Sequence, residues 1–305
     1  MQKHDSSDLS WDEFDEMRDP RPEENGFDAV VDRAISRRGF LGGALAFGSG
    51  AAVFGSGLFD SAAAMTKGFK FQPIDIATDY DIHVPEGYDW KVLTRWGDAL
   101  FSEAKDAYSP ETGVSVDMSD KVFGENTDGM ELFEVDGKQL IAVNSEYVRP
   151  KLNLPADAEG TPRSADEVKL LKNLQGVTVM EVADNGNGYE VVVDSPYNRR
   201  ITHDTEMMLA GPLAGHDLVK TKADPEGRTV LGTMNNCGSG KTLWGTYLTC
   251  EENFNGYFGA TGGGAERPQG YARYGIGAEG WGYDYHLHDA RFDYAQNPHE
   301  PHRAG

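Results

Sequence analysis

From residue 67 onward the chain runs in short stretches of alternating apolar and polar positions, broken by glycine, asparagine and aspartate. Four segments carry β-branched and aromatic residues close to period two: 88–98 (YDWKVLTRWGD), 130–148 (MELFEVDGKQLIAVNSEYV), 176–194 (GVTVMEVADNGNGYEVVVD) and 245–254 (GTYLTCEENF). That spacing puts every second side chain on one face of a pleated strand, so each segment is predicted to be extended. VDGK (135–138) and DNGNG (184–188) interrupt two of them with residues that accept a positive φ, which predicts hairpins. One segment has a different period. SADEVKLLKNL (164–174) places Val168, Leu170, Leu171 and Leu174 on one side, behind Ser164 or Asp166 as cap, and predicts a helix inserted between strands.

With 37 glycines, 13 tyrosines and 5 tryptophans, composition agrees with this reading and the expected fold class is all-β. Hairpins repeated through a long aromatic-rich chain fit a propeller or a large sandwich, and no fixed-period repeat chooses between them. The formal net charge of −22 excludes non-specific nucleic-acid binding, which needs Lys and Arg to displace phosphate counterions, and suits a protein that collects cations.

Residues 1–64 have a different composition. Residues 1–35 are polar and acidic, too poor in aliphatic side chains to offset the entropy of ordering them. Arg37 and Arg38, the apolar small-residue run from Leu41 to Phe59, and Ala62 and Ala64 at A-x-A spacing together form a twin-arginine export signal cut after Ala64. The competing reading is a membrane span, for which six glycines in the run are unfavourable. The expected organisation is therefore a leader over 1–64 and a β domain over 65–305 of an exported, periplasmic or extracellular protein without a stable membrane anchor.

The candidate chemistry centres on residues 235–253. If 245–254 is a strand, Leu248, Cys250 and Glu252 share one face and Tyr247, Thr249 and Glu251 the other, so two adjacent carboxylates point apart. Cys237 lies among small residues in NNCGSGK. A thiolate suits iron or zinc, whereas carboxylates suit calcium or magnesium, so a mixed metal site is one reading. A Cys237–Cys250 disulfide and ordinary solvated glutamates are the other. Three further matches carry less. GSGKT (238–242) lacks the first glycine of a phosphate-cradling loop, where Asn235 stands, and GIGAEG (275–280) lacks the flanking strand and helix of a dinucleotide site. HLHD (286–289) has two histidines at strand spacing, which fit surface or core positions as well as metal ligands.

TMNNCGSGKTLWGTYLTCEENFNGYF (233–258) resembles the signature of the PhoX-type alkaline phosphatases, NNCAGGxTPWGTYLTCEEN. VLTRWGDALF (92–101), NSEY (144–147), SPYNRRIT (195–202), MLAGPLAGHDL (208–218) and RFDYAQNPHEPHR (291–303) are similar to family segments in the same order, from about Ile74 to the last residue. The resemblance implies a six-bladed β-propeller, exported by the twin-arginine machinery, that hydrolyses phosphate monoesters with ferric iron and calcium. It implies Cys237 as iron ligand, Glu252 with Glu251 as metal-binding carboxylates, and Cys237 and Glu252 at the catalytic centre. Glu146, Asp128 and Asn236 are further candidates. Ser145 stands where the family has histidine in NHEY, and Gly238, Ser239, Gly240 and Leu243 depart mildly from the signature. Family members continue beyond EPHR, so the sequence is expected to be the N-terminal portion of a longer enzyme, inactive and aggregation-prone alone. The alternative is a non-catalytic, calcium-stabilised propeller that binds a partner.

Overall fold

The computed structural model describes residues 74–262 and 267–304. Arg37, Arg38, the Ala64 cleavage point and the expected 64/65 boundary lie outside the described residues. The chain divides into two units, Met1–Asp89 and Trp90–Gly305. In the first, residues 74–89 form turns and irregular chain, with His83 Nε2 2.8 Å from the Asp79 carboxylate. Among the described residues no helix is long and apolar enough to cross a membrane.

The second unit contains β1 (Tyr108–Ser109), β2 (Gly113–Val114), β3 (Thr127–Val135), β4 (Lys138–Ser145), β5 (Gly176–Asp184), β6 (Tyr189–Val191), β7 (Arg199–Ile201), β8 (Thr205–Met208), β9 (Thr229–Gly232), β10 (Asn236–Lys241) and β11 (Tyr247–Glu251). Helices α1 (Pro150–Asn153) and α2 (Ala165–Asn173) lie between β4 and β5. The main sheet has the antiparallel order β3-β4-β5-β6, with β7 also pairing β5, and β1-β2, β8-β9 and β10-β11 form two-stranded sheets. The structure is thus mostly sheet with few helices, as the alternation predicts.

The sequence signals act locally as expected. Asp136 (φ 53°) and Gly137 (φ 73°) are both left-handed between the paired Val135 and Lys138, the two-residue turn whose twist matches its strands. DNGNG joins β5 to β6. Along β5 one face carries Met180 and Val182, packed with Leu100, Phe123, Ile141 and Val143, and the other carries Val177 and Val179 beside Ala142. β5 is therefore buried on both faces, and β3 and β4 both touch β10, through Leu132 with Lys241 and Asn144 with Cys237.

Helix α2 starts at Ser164, whose Oγ accepts from the Glu167 N–H at 3.2 Å, so Ser164 and not Asp166 is the cap. Val168, Leu170, Leu171 and Leu174 all enter the largest core cluster, which holds Tyr257, Phe258, Tyr271, Tyr285 and Phe292. Ser164→Ala is expected to cost about 1 kcal/mol in denaturant unfolding through that lost bond.

Two segments depart from expectation. Residues 88–98 form no ladder, because the Asp98 carboxylate accepts from the Arg95 N–H at 2.7 Å and the chain turns at Gly97 (φ 85°); only an isolated bridge, Ala99 to Val122, follows. HLHD runs off the end of a 3₁₀ turn, Tyr285–Leu287, with His288 just beyond it, so its histidines do not share a strand face. His286 is buried against Gly259, and His288 Nε2 lies 2.9 Å from the Pro162 carbonyl.

His203 is fully buried between Tyr257, Tyr285 and Phe292, with Nε2 3.2 Å from Gln175 Oε1. Burial, and then the charges of Arg291 and Lys172, hold its pKa well below the usual histidine value. The folded chain therefore keeps His203 neutral, whereas the unfolded chain protonates it below pH about 6.5. Its contribution is complete above that pH and is lost as pH falls through it, by up to about 1.4 kcal/mol per unit. Unfolding of the wild type and a His203→Gln variant between pH 7 and 5 is expected to show this slope in the wild type and a shallower one in the variant.

Candidate metal centre

The β10-β11 hairpin pairs Lys241 with Tyr247, Gly240 with Leu248 and Ser239 with Thr249, and then shifts to pair Asn236 with Glu251. Two residues, Cys237 and Gly238, consequently oppose the single Cys250. This is a β-bulge, a device that re-aims a side chain out of the strand alternation. A second bulge lies in the main sheet, where Thr127 pairs with Ser145 and Met130 with Val143, so Asp128 and Gly129 oppose Asn144. Each bulge carries a candidate ligand followed by glycine. The two approach so closely that a Cβ on Gly129 would sit 2.8 Å from the Cys237 carbonyl oxygen and 2.4 Å from Ser239 Oγ, distances no side chain tolerates.

Within this junction one ligand atom from each of Asp128, Glu146 and Cys237 lies within 4.8 Å of the others. Glu146 follows β4 and is tied by its N–H to the Asn126 carbonyl at 2.9 Å. Glu252 follows β11 and is tied by its N–H to the Asn235 carbonyl, also at 2.9 Å. Asn126 (φ 45°) and Asn235 (φ 48°) are both left-handed, a conformation asparagine accepts more readily than most side chains. Asn235 also donates from Nδ2 to Glu146 at 3.3 Å and accepts from the buried Tyr257 hydroxyl at 2.8 Å.

The electrostatics are those of an anionic pocket. The Cys237 thiol lies beside the Glu252 and Asp128 carboxylates, and hydrogen bonding to them, Glu252 foremost, together with partial burial pushes its pKa far up. Glu146 is raised by burial first, and then by the charges of Asp128 and Glu252. Three carboxylates crowded together repel one another unless protons or a cation sit among them, and one soft sulfur beside hard carboxylates is a donor set suited to a cation.

The structure therefore brings together Cys237, Glu252, Glu146 and Asp128. Glu251 is placed apart from them. Its Oε1 accepts from Thr233 Oγ1 at 3.0 Å and the Met234 N–H at 2.9 Å, and it lines an apolar cavity of about 620 Å³ with Phe133, Val177, Val179 and Tyr247. None of Cys237, Glu252, Glu146 or Asp128 lines that cavity, so donor chemistry and not size marks the centre. Asn236 is fully buried and donates to Thr233 and Thr249. Both cysteines are free thiols, Cys237 half-buried and Cys250 exposed, so the disulfide reading is not realised. GSGKT belongs to β10 and its turn, with a strand after it where a phosphate loop needs a helix.

Residues 69–305 match the family described as alkaline phosphatase PhoX. The structure is similar to that of Pseudomonas fluorescens PhoX in complex with vanadate, a transition state analogue, at 40% sequence identity and a TM-score of 0.71, covering 77% of this chain and 40% of that one. The chain thus spans less than half the length of that solved structure. Comparison with curated proteins gave no match.

Proposed function

This chain belongs to the alkaline phosphatase PhoX family, and on that premise we propose that the whole protein hydrolyses phosphate monoesters at a metal centre to which Cys237, Glu252, Glu146 and Asp128 contribute. The observation that carries the proposal is the meeting of Cys237 and Asp128, each on a bulge, with the Glu146 carboxylate and with Glu252 beside them, in a chain 40% identical to a PhoX solved with a transition state analogue. Vanadate mimics phosphorus at the stage of transfer, so a protein that binds it is built around that charge and shape.

Cys237 is the soft donor and fits ferric iron; Asp128, Glu146 and Glu252 are hard donors that fit iron or calcium. When bound, such ions supply the positive charge that offsets the phosphate dianion and its transition state. The chain's own residues hold the pocket. The paired bulges aim Cys237 and Asp128, Asn126 and Asn235 fix the backbone of Glu146 and Glu252, and Asn235 orients the Glu146 carboxylate. Glu251 is not among these ligands in our reading, because it is engaged on the far side of β11.

The fold we propose for the whole protein is a six-bladed propeller, in which the antiparallel β3-β4-β5-β6 meander has the strand count of one blade. Export through the twin-arginine machinery to the periplasm or beyond, directed by Arg37 and Arg38, completes the proposal. The phosphatase reading is supported over a calcium-only binding module by the thiol at the centre of the cluster, since calcium has no use for sulfur.

The test is hydrolysis of p-nitrophenyl phosphate by the full-length protein, with chelator and vanadate arms. Activity lost to chelator and inhibited by vanadate is expected. A metal-loaded protein that does not hydrolyse the ester contradicts the phosphatase and favours the binding module.

A further inference from the structure

A chain of hydrogen bonds runs from Glu251 to the backbone of Cys237, and each link has a defined direction. Asn236 Nδ2 is the hub. One of its protons goes to Thr233 Oγ1 at 2.8 Å and the other to Thr249 Oγ1 at 3.2 Å. Thr233 passes its own hydroxyl proton to Glu251 Oε1 at 3.0 Å, and Thr249 passes its proton to Asn144 Oδ1 at 3.1 Å. Asn144 then donates from Nδ2 to the Cys237 carbonyl at 2.7 Å. A carboxylate accepts and does not donate, so Glu251 sets the orientation of Thr233, which sets Asn236, Thr249 and Asn144 in turn. Asn144 and Asn236 are fully buried, where leaving a donor unpaired is costly, so the chain of bonds has little freedom to rearrange.

The end of the chain is where a bulge most needs support. Cys237 has no regular cross-strand partner, and Asn144 stands opposite the neighbouring bulge at Asp128 and Gly129. A single side chain thus spans both bulges. Tyr247 closes the same junction, its hydroxyl lying 2.9 Å from Asn144 Oδ1 and 3.0 Å from the Gly129 carbonyl.

We propose that Asn144 is the positioning residue for the Cys237 ligand, held by a relay through Thr249, Asn236 and Thr233 that is anchored on Glu251. The inference rests on the metal-centre reading for its consequence but on the hydrogen bonds themselves for its existence. It gives Glu251 and Asn236 a role one step removed from any ion.

The experiment uses full-length, metal-free protein in wild-type, Asn144→Leu, Thr249→Val and Thr249→Ser forms. Two quantities are read: the rate at which iodoacetamide alkylates Cys237 relative to Cys250, and the sulfur-to-cobalt charge-transfer band on titration with cobalt(II) alone. Thr249→Val keeps the shape and cuts the relay, whereas Thr249→Ser keeps the hydroxyl. In Thr249→Val the relative alkylation of Cys237 is expected to rise about fivefold. Apparent cobalt affinity is expected to fall about 10- to 100-fold, the effect of losing an outer-shell partner. Thr249→Ser is expected to behave as wild type and Asn144→Leu at least as severely as Thr249→Val. If Asn144→Leu does not fold, the valine and serine pair still decides. Equal behaviour of valine, serine and wild type in both readouts, or equal loss in valine and serine, overturns the relay. A wild type without any thiolate band overturns the metal-centre reading instead, and the alkylation ratio then judges the relay alone.

Discussion

On the proposed function, replacing Cys237 by serine in the full-length protein is expected to abolish iron binding and lower phosphatase activity by more than about 100-fold, the upper end of what losing even an outer-shell partner costs a metal site. Serine keeps the size and hydrogen-bonding capacity of the side chain but replaces the soft donor with a hard, far less acidic one. The backbone bulge needs no sulfur, since Asn144 holds the residue through its carbonyl, so the variant should fold and keep its carboxylates in place. Cys250→Ser is the control. It is exposed and is not one of the residues whose ligand atoms gather with Cys237, so metal and activity should persist. Metal content by elemental analysis and hydrolysis of p-nitrophenyl phosphate check both; iron retained in Cys237→Ser refutes the assignment.

The second large effect concerns the strand pairing beneath the site. Gly176 opens β5 at φ 95°, a conformation few other residues adopt, and a Cβ there would lie 2.0 Å from the Ile201 carbonyl of β7. Gly176→Ala adds backbone strain of about 1–3 kcal/mol to an overpacking cost of about 1–3 kcal/mol, because backbone cannot step aside as a flexible side chain can. The expected destabilisation is about 2–6 kcal/mol by denaturant unfolding. Gly176 pairs with Ser145, the residue before Glu146, so the variant should also weaken metal binding at residual stability. A change below about 1 kcal/mol would show that β5 and β7 do not meet as described.

What could be read from the chain differs from element to element, and for physical reasons. VDGK and DNGNG announced their hairpins because the left-handed turn is a local demand on residue type. Ser164 announced α2 because capping is local too. Alternation along 247–252 separated Glu251 from Glu252, and the structure keeps that separation. Residues 88–98 misled because β-branched and aromatic spacing says nothing about whether a partner strand is available; here the Asp98 turn ends the run first.

The convergence of the four donors was legible only through resemblance. Asp128 and Cys237 are 109 residues apart and meet because two bulges, in different sheets, lie back to back. No periodicity encodes that. The sequence reading missed Asn144, Asn235 and Gly129, whose roles depend on what approaches them across the junction. A weak signal was present: Asp128-Gly129 and Cys237-Gly238 both put glycine directly after a candidate ligand within an extended run, where it weakens a strand unless a bulge or another backbone requires it.

The most direct test of the account is an anomalous-difference map, collected at the iron edge, from crystals of the metal-loaded full-length protein. The account predicts a peak within bonding distance of Cys237 Sγ, flanked by carboxylates from among Asp128, Glu146 and Glu252, with Glu251 still bound to Thr233. Iron found elsewhere, with Cys237 Sγ free of metal or joined to Cys250, would contradict it.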